Sequence, residues 1–529
     1  MKCYKSILII IFILFFFTFS LQAANYGGQL NLKFLKRPLT LNPIYAANET
    51  EKIIVKQIFD NLVSLNRRGE LTADLAESWE IEADGRMFKF KLRENVHFQP
   101  FQINGEPISL SARTVKAEDW KWSLEYLAAS ENKSPYAKLL KNVVGYQEFR
   151  QGKSEEIKGI KILNDYMLQI ELEESYAPFI YNLSRNAAAL IPKRAVLNKK
   201  NFSLKPVGTG AFLVSEFNKN EIILNKSNNY WKNNYQKERL PYLERIKIDF
   251  SAAEAGLDNY QYYDLYQLSS ELEQEYRNEI KEDNYQLKKL PKNIYYYLGY
   301  NYNSSFSSET KAQNIREYLN SALIENKAQL QKDLVDFIIN FSNNKQTSYI
   351  VNFYNLAQNR SNEDINLKND IKKLTFISND SKNNIKISSF IKNKLDFQEI
   401  NVELKHFSWS EYINLITDND FNGELFLMTY QYQNKYEFLA DNFYSKSEKN
   451  YFNYNNRRID NLIDYLKLVS SPKSKEQAYQ IIEEILLNDH PLIFLFQGTE
   501  SRLFSDRIAN QDIFENIFLK DSYESIYLK

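Results

Sequence analysis

Three histidines, His97, His406 and His490, and one cysteine, Cys3, are the side chains from which a transition-metal or nucleophilic centre would have to be built. A zinc site needs three or four such ligands gathered together. Here the histidines lie far apart, each in a run that already reads as scaffold, and no HExxH, GxSxG or GxxxxGK[ST] pattern occurs. No metal and no cofactor is therefore expected. Val207-Gly208-Thr209-Gly210-Ala211-Phe212 has the glycines of a phosphate cradle. The residues after it, Leu213–Phe217 and Ile222–Leu224, alternate as strands do, so no helix N-terminus would face an anion there. Carboxylates are plentiful, with 67 Asp and Glu, and a pair of them could flank a glycosidic bond. A secreted hydrolase stays open on that ground alone.

The elements that would position any site begin after a leader. Lys2 and Lys5 precede the apolar run Ile7–Phe19, and Ala23-Ala24 lead into polar sequence at Asn25. That is the charged start, apolar core and small-residue exit of a secretory signal over 1–24, too short for a comfortable membrane span. Leu21 and Gln22 make its cleavage site imperfect. Cys3 precedes the apolar core, whereas a lipoprotein signal carries its cysteine after it, so acyl anchoring there is not expected. The mature chain then has no cysteine and no disulfide, and is expected in the periplasm or another extracytoplasmic space. Without the leader, 65 basic residues face 67 acidic ones, a balance that argues against a general nucleic-acid or anionic-membrane binder. At 529 residues the chain exceeds the range in which one core keeps growing, so at least two lobes are expected.

The clearest scaffold runs from Leu71 to Leu127. Phe88-Lys89-Phe90-Lys91-Leu92 alternates like a half-buried strand, and Asp84-Gly85 just before it suits a hairpin turn. Thr114–Leu124 reads as a helix with acids in its first turn, offering Trp122 and Leu127 to the core. Gly28–Phe34 is a first strand, and Ile160–Leu172 a hairpin about Asn164-Asp165. Ser471-Pro472 opens a helix whose Ala478, Ile481, Ile482, Ile485 and Leu486 form one stripe, and Pro491–Phe496 is a closing strand.

The ordered series L-T-A-D-L-A-E-S-W, D-G, F-K-F-K-L-R-E-N-V-H-F and A-E-D-W-K-W-S-L-E-Y resembles the first lobe of the oligopeptide/dipeptide class of extracytoplasmic solute-binding proteins, bacterial family 5, which feed ABC importers. The run from Val207 to Trp231, Leu298-Gly299-Tyr300-Asn301, and the ending from Tyr454 to Phe496 resemble further signatures of that family. The likeness is strong over 28–303, weak to 400 and clear again from 401 to about 505.

The resemblance implies a two-lobe, periplasmic-binding-protein-like α/β fold with a hinge and an extra subdomain in the first lobe. Lobe I would comprise 25–65, 188–288 and 489–529, its subdomain 66–187, and lobe II 289–488. A monomer is implied that is no enzyme, captures a peptide or similar solute between the lobes and delivers it to membrane permease subunits. A sensory co-receptor on the same fold is the other reading. Ligand positions implied are Ala46, Ala47 and Asn48 in the loop after Leu41-Asn42-Pro43, and Tyr136 in Ser134-Pro135-Tyr136-Ala137. Others are Trp409, which starts a helix, and Thr429, Tyr430, Gln431 and Tyr432 on the strand after it. In oligopeptide binders that strand pairs with peptide main chain, and an aspartate beyond it holds the ammonium. Gln431 stands at the aspartate's position, and Ile416 and Leu425 stand where two arginines help bind peptide. A neutral amide gives no charge-assisted bond. Blocked and free peptides are thus expected to bind alike, unless another carboxylate anchors the amine.

Overall fold

In the computed structural model, the described residues are 25–529 except 68, 199–200, 234–237, 252–258, 270–271, 274–283, 302–317, 319–336, 339–372, 398, 418–424, 432–433, 470, 490 and 516–521. The first strand, Gln29–Lys33, buries Leu30 and Leu32 completely at alternate positions. It runs parallel to Arg245–Asp249 on one side and Leu265–Leu268 on the other. From the first of these the sheet continues through Glu221–Lys226 to Phe212–Phe217. In the other direction it passes through Leu492–Ser505, Tyr285–Tyr300, Leu425–Tyr430 and Lys373–Asn379 to Asn401–Phe407.

Two long strands carry this sheet from one lobe to the other. Leu492–Ser505 pairs with Leu265–Leu268 through its second half and with Tyr285–Tyr300 along most of its length. Tyr285–Tyr300 in turn pairs with Leu425–Tyr430 only from Tyr295 onward. Between these regions the register jumps from Pro291↔Thr499 to Tyr295↔Gln497, so three residues, 292–294, stand opposite Gly498 alone. Pro291 has no N–H to give the ladder, which favours a bulge at this point. The cores divide at the same place. One gathers Leu30 through Leu265 together with Leu290 and Phe504 through Leu528; two others gather Tyr295 through Leu492 and Leu495. The architecture is a two-lobe α/β fold.

The subdomain of the first lobe is built on the sheet Ala76–Glu82, Met87–Leu92, Met167–Glu171, Ile160–Asn164. The turn at Ala83, Asp84 and Gly85 holds all three residues at positive φ, and a Cβ on Gly85 would lie 2.8 Å from the Ala177 nitrogen. The helix following it is Ala117–Ala128. Trp120, Leu124 and Leu127 are its buried stripe, at helical spacing. Trp122 falls off that stripe and stacks on Tyr126 with ring centroids 5.0 Å apart, so the core tryptophan is Trp120. Gly208 and Gly210 form no phosphate cradle: each lies against the backbone of Ile58, and Gly210 N–H donates to Ile58 O at 2.8 Å. Phe212–Phe217 follows them as a strand.

In the second lobe the helix Lys382–Phe397 connects the parallel strands Lys373–Asn379 and Asn401–Phe407. Pro472–Asp489 buries Ala478, Ile482 and Leu486, with Ile481 and Ile485 half-buried beside them. Residues 1–24, and His490, lie outside the described residues. Among the described residues, no helix is long and apolar enough to cross a membrane.

Candidate functional site

The loop after the first strand is fixed by its own polar groups. Asn42 Oδ1 accepts from Ile44 N, starting the short turn Pro43–Tyr45. Asn48 then caps the helix Glu49–Ile58: its Oδ1 accepts from Glu51 N at 2.9 Å, and the Glu51 carboxylate accepts from Asn48 N at 3.1 Å. The same carboxylate accepts from Ala47 N at 2.8 Å and Leu39 N at 2.9 Å. A capping box of this kind satisfies helix N–H groups that have no partner within the helix. Ser134 Oγ donates to Ile44 O at 2.7 Å, and Tyr136 Oη donates to Ala46 O at 2.9 Å. Tyr136 is thus a prop beneath the loop, with its hydroxyl pushed above the ordinary tyrosine range by burial and by Glu51.

The strand expected to meet a ligand is Leu425–Tyr430. Its residues Tyr430, Met428 and Phe426 stand opposite Tyr295, Tyr297 and Gly299. Buried Tyr412 donates its hydroxyl to Leu427 O at 2.7 Å. That carbonyl therefore points away from Tyr285–Tyr300, and by the period of two so do the main-chain groups of Thr429. On that side Lys373–Asn379 pairs only with Leu425 and Phe426. Among the described residues, no strand lies against the outer edge at Thr429. Tyr430 turns to the opposite face, packs on Phe438 at 5.9 Å and donates its hydroxyl to Asp441. Burial and the acids Asp441 and Glu437 push that hydroxyl far above the usual tyrosine range. Gln431 is exposed, and Tyr432 lies outside the described residues. Trp409 heads its helix, 53% exposed, with its ring 6.3 Å from that of Tyr412.

A cavity of about 390 Å³ lies between the start of the helix Glu49–Ile58 and the two long strands. Asn48, Glu49 and Thr50 line it from the first helix; Lys292 and Tyr296 from the bulged strand; Thr499 from the strand beside it. Asn383 closes it from the second lobe. Lys292 Nζ lies 3.7 Å from Glu49 Oε2 across this space. Thr499 is 5% exposed, and its Oγ1 has no hydrogen-bond partner among the described residues.

Of the positions expected from sequence, Asn48 lines the cavity. Thr429 is not among the lining residues, although its ladder partner Tyr296 is. Ala46 and Ala47 belong to the loop, where Ala46 O accepts from Tyr136 Oη and Ala47 N donates to Glu51; with Tyr136, Trp409, Tyr430 and Gln431 they are not part of the lining. Glu49, Lys292 and Thr499 were not anticipated. Glu49 had a signal, as the neighbour of Asn48; the other two lie in long strands where nothing local marks them. Away from the cavity, Arg185 Nη2 meets Glu437 Oε1 at 2.8 Å and Tyr176 packs edge-on to Tyr436 at 5.6 Å, joining the first lobe's subdomain to the second lobe. His97 holds Asn95 O, and His406 holds Ser378 Oγ at 2.8 Å, with burial lowering its pKa; they sit in different lobes.

Residues 70–450 match the family described as bacterial extracellular solute-binding proteins, family 5, middle region. The chain is similar to the periplasmic oligopeptide-binding protein of Salmonella typhimurium, 23% identical over an alignment of 512 residues that covers 92% of this chain and 90% of that protein. It is also similar to the periplasmic murein peptide-binding protein of Escherichia coli, 23% identical over an alignment of 496 residues that covers 88% of this chain and 87% of the other. Among solved structures, the unliganded open form of a periplasmic murein tripeptide-binding protein shares the fold with a TM-score of 0.76, at 19% identity, over 96% of this chain and 99% of that one.

Proposed function

Because this chain belongs to the bacterial extracellular solute-binding proteins of family 5, we propose that it captures a peptide or similar solute between its lobes and delivers it to the permease subunits of an ABC importer. The observation that carries this reading is the cavity of about 390 Å³. It lies where the capped helix of one lobe, the bulged strand pair and the second lobe meet; the next strand, Leu425–Tyr430, has an outer edge at Thr429 with no strand against it among the described residues. Its size falls within the ~300–1,000 Å³ of small-ligand sites. A peptide laid along that edge would gain main-chain hydrogen bonds without displacing a native strand, the mode called strand addition. The bulge at 292–294 interrupts the strand pair between the lobes, and a hinge there would let the lobes close over the solute.

On this reading lobe I is 25–65, 188–288 and 489–529, its subdomain 66–187, and lobe II 289–488, with the last boundary falling inside the strand Tyr285–Tyr300. Segregated cores on either side of the bulge support a division into two lobes, with Leu290 packing in the first lobe's core and Leu492 and Leu495 in the second's, so by packing each crossover falls a few residues later than these bounds. The protein works outside the cytoplasm after removal of residues 1–24, as a monomer, and performs no turnover. Named relatives that bind oligopeptides and murein peptides support a peptide as the solute. The test is mass spectrometry of solutes released from protein purified under native conditions, followed by calorimetry with the solute found. Short peptides are the expected result; an oligosaccharide, metal chelate or haem would refute the peptide assignment.

A further inference from the structure

We propose that the first lobe carries a membrane-docking face, a basic surface studded with leucines that rests on an anionic phospholipid bilayer. Leu39, Lys193, Arg194, Leu197, Leu204 and Lys205 build it, and none of the six lines the solute cavity. Such docking concentrates the protein at a bilayer and leaves the capture of solute unchanged.

The chain holds 67 acids, yet residues 25–48 and 175–215 contain none. The first of these stretches has three lysines and arginines, and the second has six. The fold joins them, for Leu41 N–H donates to Ser203 O at 2.7 Å. In the helix Lys193–Asn198, Ala195 is buried and Val196 half-buried, which leaves Lys193, Arg194 and Leu197 outside. The N–H groups of Leu204 and Lys205 then both reach Asn201 O, forming a tight turn. Buried Phe202 pins this turn to the core, its ring centroid 6.3 Å from that of Phe59. Outside remain Lys205 and three leucines, 79% exposed at Leu39, 67% at Leu197 and 38% at Leu204.

Apolar side chains exposed together on one face mark a surface that meets a partner. Lysines and arginines among them can hold their charges at lipid phosphates while their stems and the leucines reach the acyl boundary. Acids on the adjoining elements are engaged: Glu125 accepts from Ile157 N–H at 3.0 Å, and Glu51 accepts from Leu39 N–H and Ala47 N–H. The mature chain is close to neutral, with 65 basic and 67 acidic residues, so attraction to anionic lipid has to come from a local face. The leucines favour a bilayer over an acidic protein. A bilayer takes up apolar side chains at any spacing, whereas a protein partner needs a matched pocket for each.

The test is flotation of mature protein, which lacks the apolar run Ile7–Phe19, with lipid vesicles. Vesicles of equal phosphatidylglycerol and phosphatidylethanolamine should carry about fivefold or more protein than vesicles of phosphatidylcholine at about 0.02 M salt, and the excess should vanish at about 0.5 M. Lys193→Glu with Lys205→Glu should abolish the excess. Lys382→Glu with Lys386→Glu, the same charge change on a second-lobe helix, should leave it intact. Leu39→Ser with Leu197→Ser should lower flotation about threefold at unchanged charge. Equal flotation with both vesicles, or equal loss in the two charge-reversed proteins, overturns the inference. Wild-type flotation by the leucine variant assigns the face to an acidic protein surface and overturns the lipid assignment. Melting temperatures check each variant, and Lys193→Gln with Lys205→Gln replaces the charge reversal if that protein unfolds. Solute capture, read separately by calorimetry, stands or falls apart from these outcomes.

Discussion

Replacing Thr429 with proline should damage ligand binding and spare the fold, while the same change one residue earlier should do the opposite. The Tyr412 bond to Leu427 O turns the odd-numbered main-chain groups of the strand outward, so Thr429 N–H belongs to the open edge and Met428 N–H to the ladder with Tyr285–Tyr300. Proline tolerates an edge position whose N–H faces away from the ladder. Thr429→Pro then removes one neutral hydrogen bond to a strand-like ligand, worth about 0.5–1.5 kcal/mol. At ~1.4 kcal/mol per tenfold, affinity should fall about two- to tenfold. Met428→Pro removes a ladder bond beneath a buried side chain and should cost roughly 3 kcal/mol of stability. Calorimetry with a free tripeptide and thermal melts of both variants make the comparison, with Thr429→Val controlling for the lost hydroxyl. A melting loss for Thr429→Pro equal to that of Met428→Pro would show that the assigned direction of the edge is wrong.

Three further outcomes are expected. Asp60 is buried, and its carboxyl is pushed from 3.8 up to about 7 by burial first and by Asp74 second, against the donors Trp231 and Thr209. The fold then holds a proton that the unfolded chain loses near its own lower pKa, so this group's contribution is largest below that value and declines as pH rises toward about 7. Melting temperatures measured across that window should show the decline, and Asp60→Asn should flatten it. In Gly208→Ala the new Cβ would lie 2.0 Å from Ile58 O, a backbone clash expected to cost about 1–3 kcal/mol, read as a lower denaturant midpoint with unchanged slope. Tyr136→Phe should lose about 1 kcal/mol of stability with the bond to Ala46 O while changing peptide affinity by less than about twofold; a tenfold affinity loss at unchanged stability would make Tyr136 a ligand contact.

What could be read in the sequence alone was whatever depends on neighbours along the chain. Alternation at Phe88, Phe90 and Leu92, the Asp84-Gly85 turn, the stripe Ala478, Ile482, Leu486 and the strand after Gly210 all rest on periods and turn chemistry that a few residues encode. Ordered runs of these carried the family and, through it, the two-lobe fold. The tertiary structure decided which face of each element meets which partner. Trp120 and Trp122 differ by two positions, yet only the packing of Ala117–Ala128 on its sheet makes the first core and the second flank. Tyr136 stands where a ligand contact was expected, but its hydroxyl bonds to the carbonyl of Ala46, 90 residues away in the chain. Glu49, Lys292 and Thr499 come from segments hundreds of residues apart and meet because a register break in two long strands turns polar groups into one cavity. Register between distant strands is set by the whole buried pattern at once, and no window of sequence contains it.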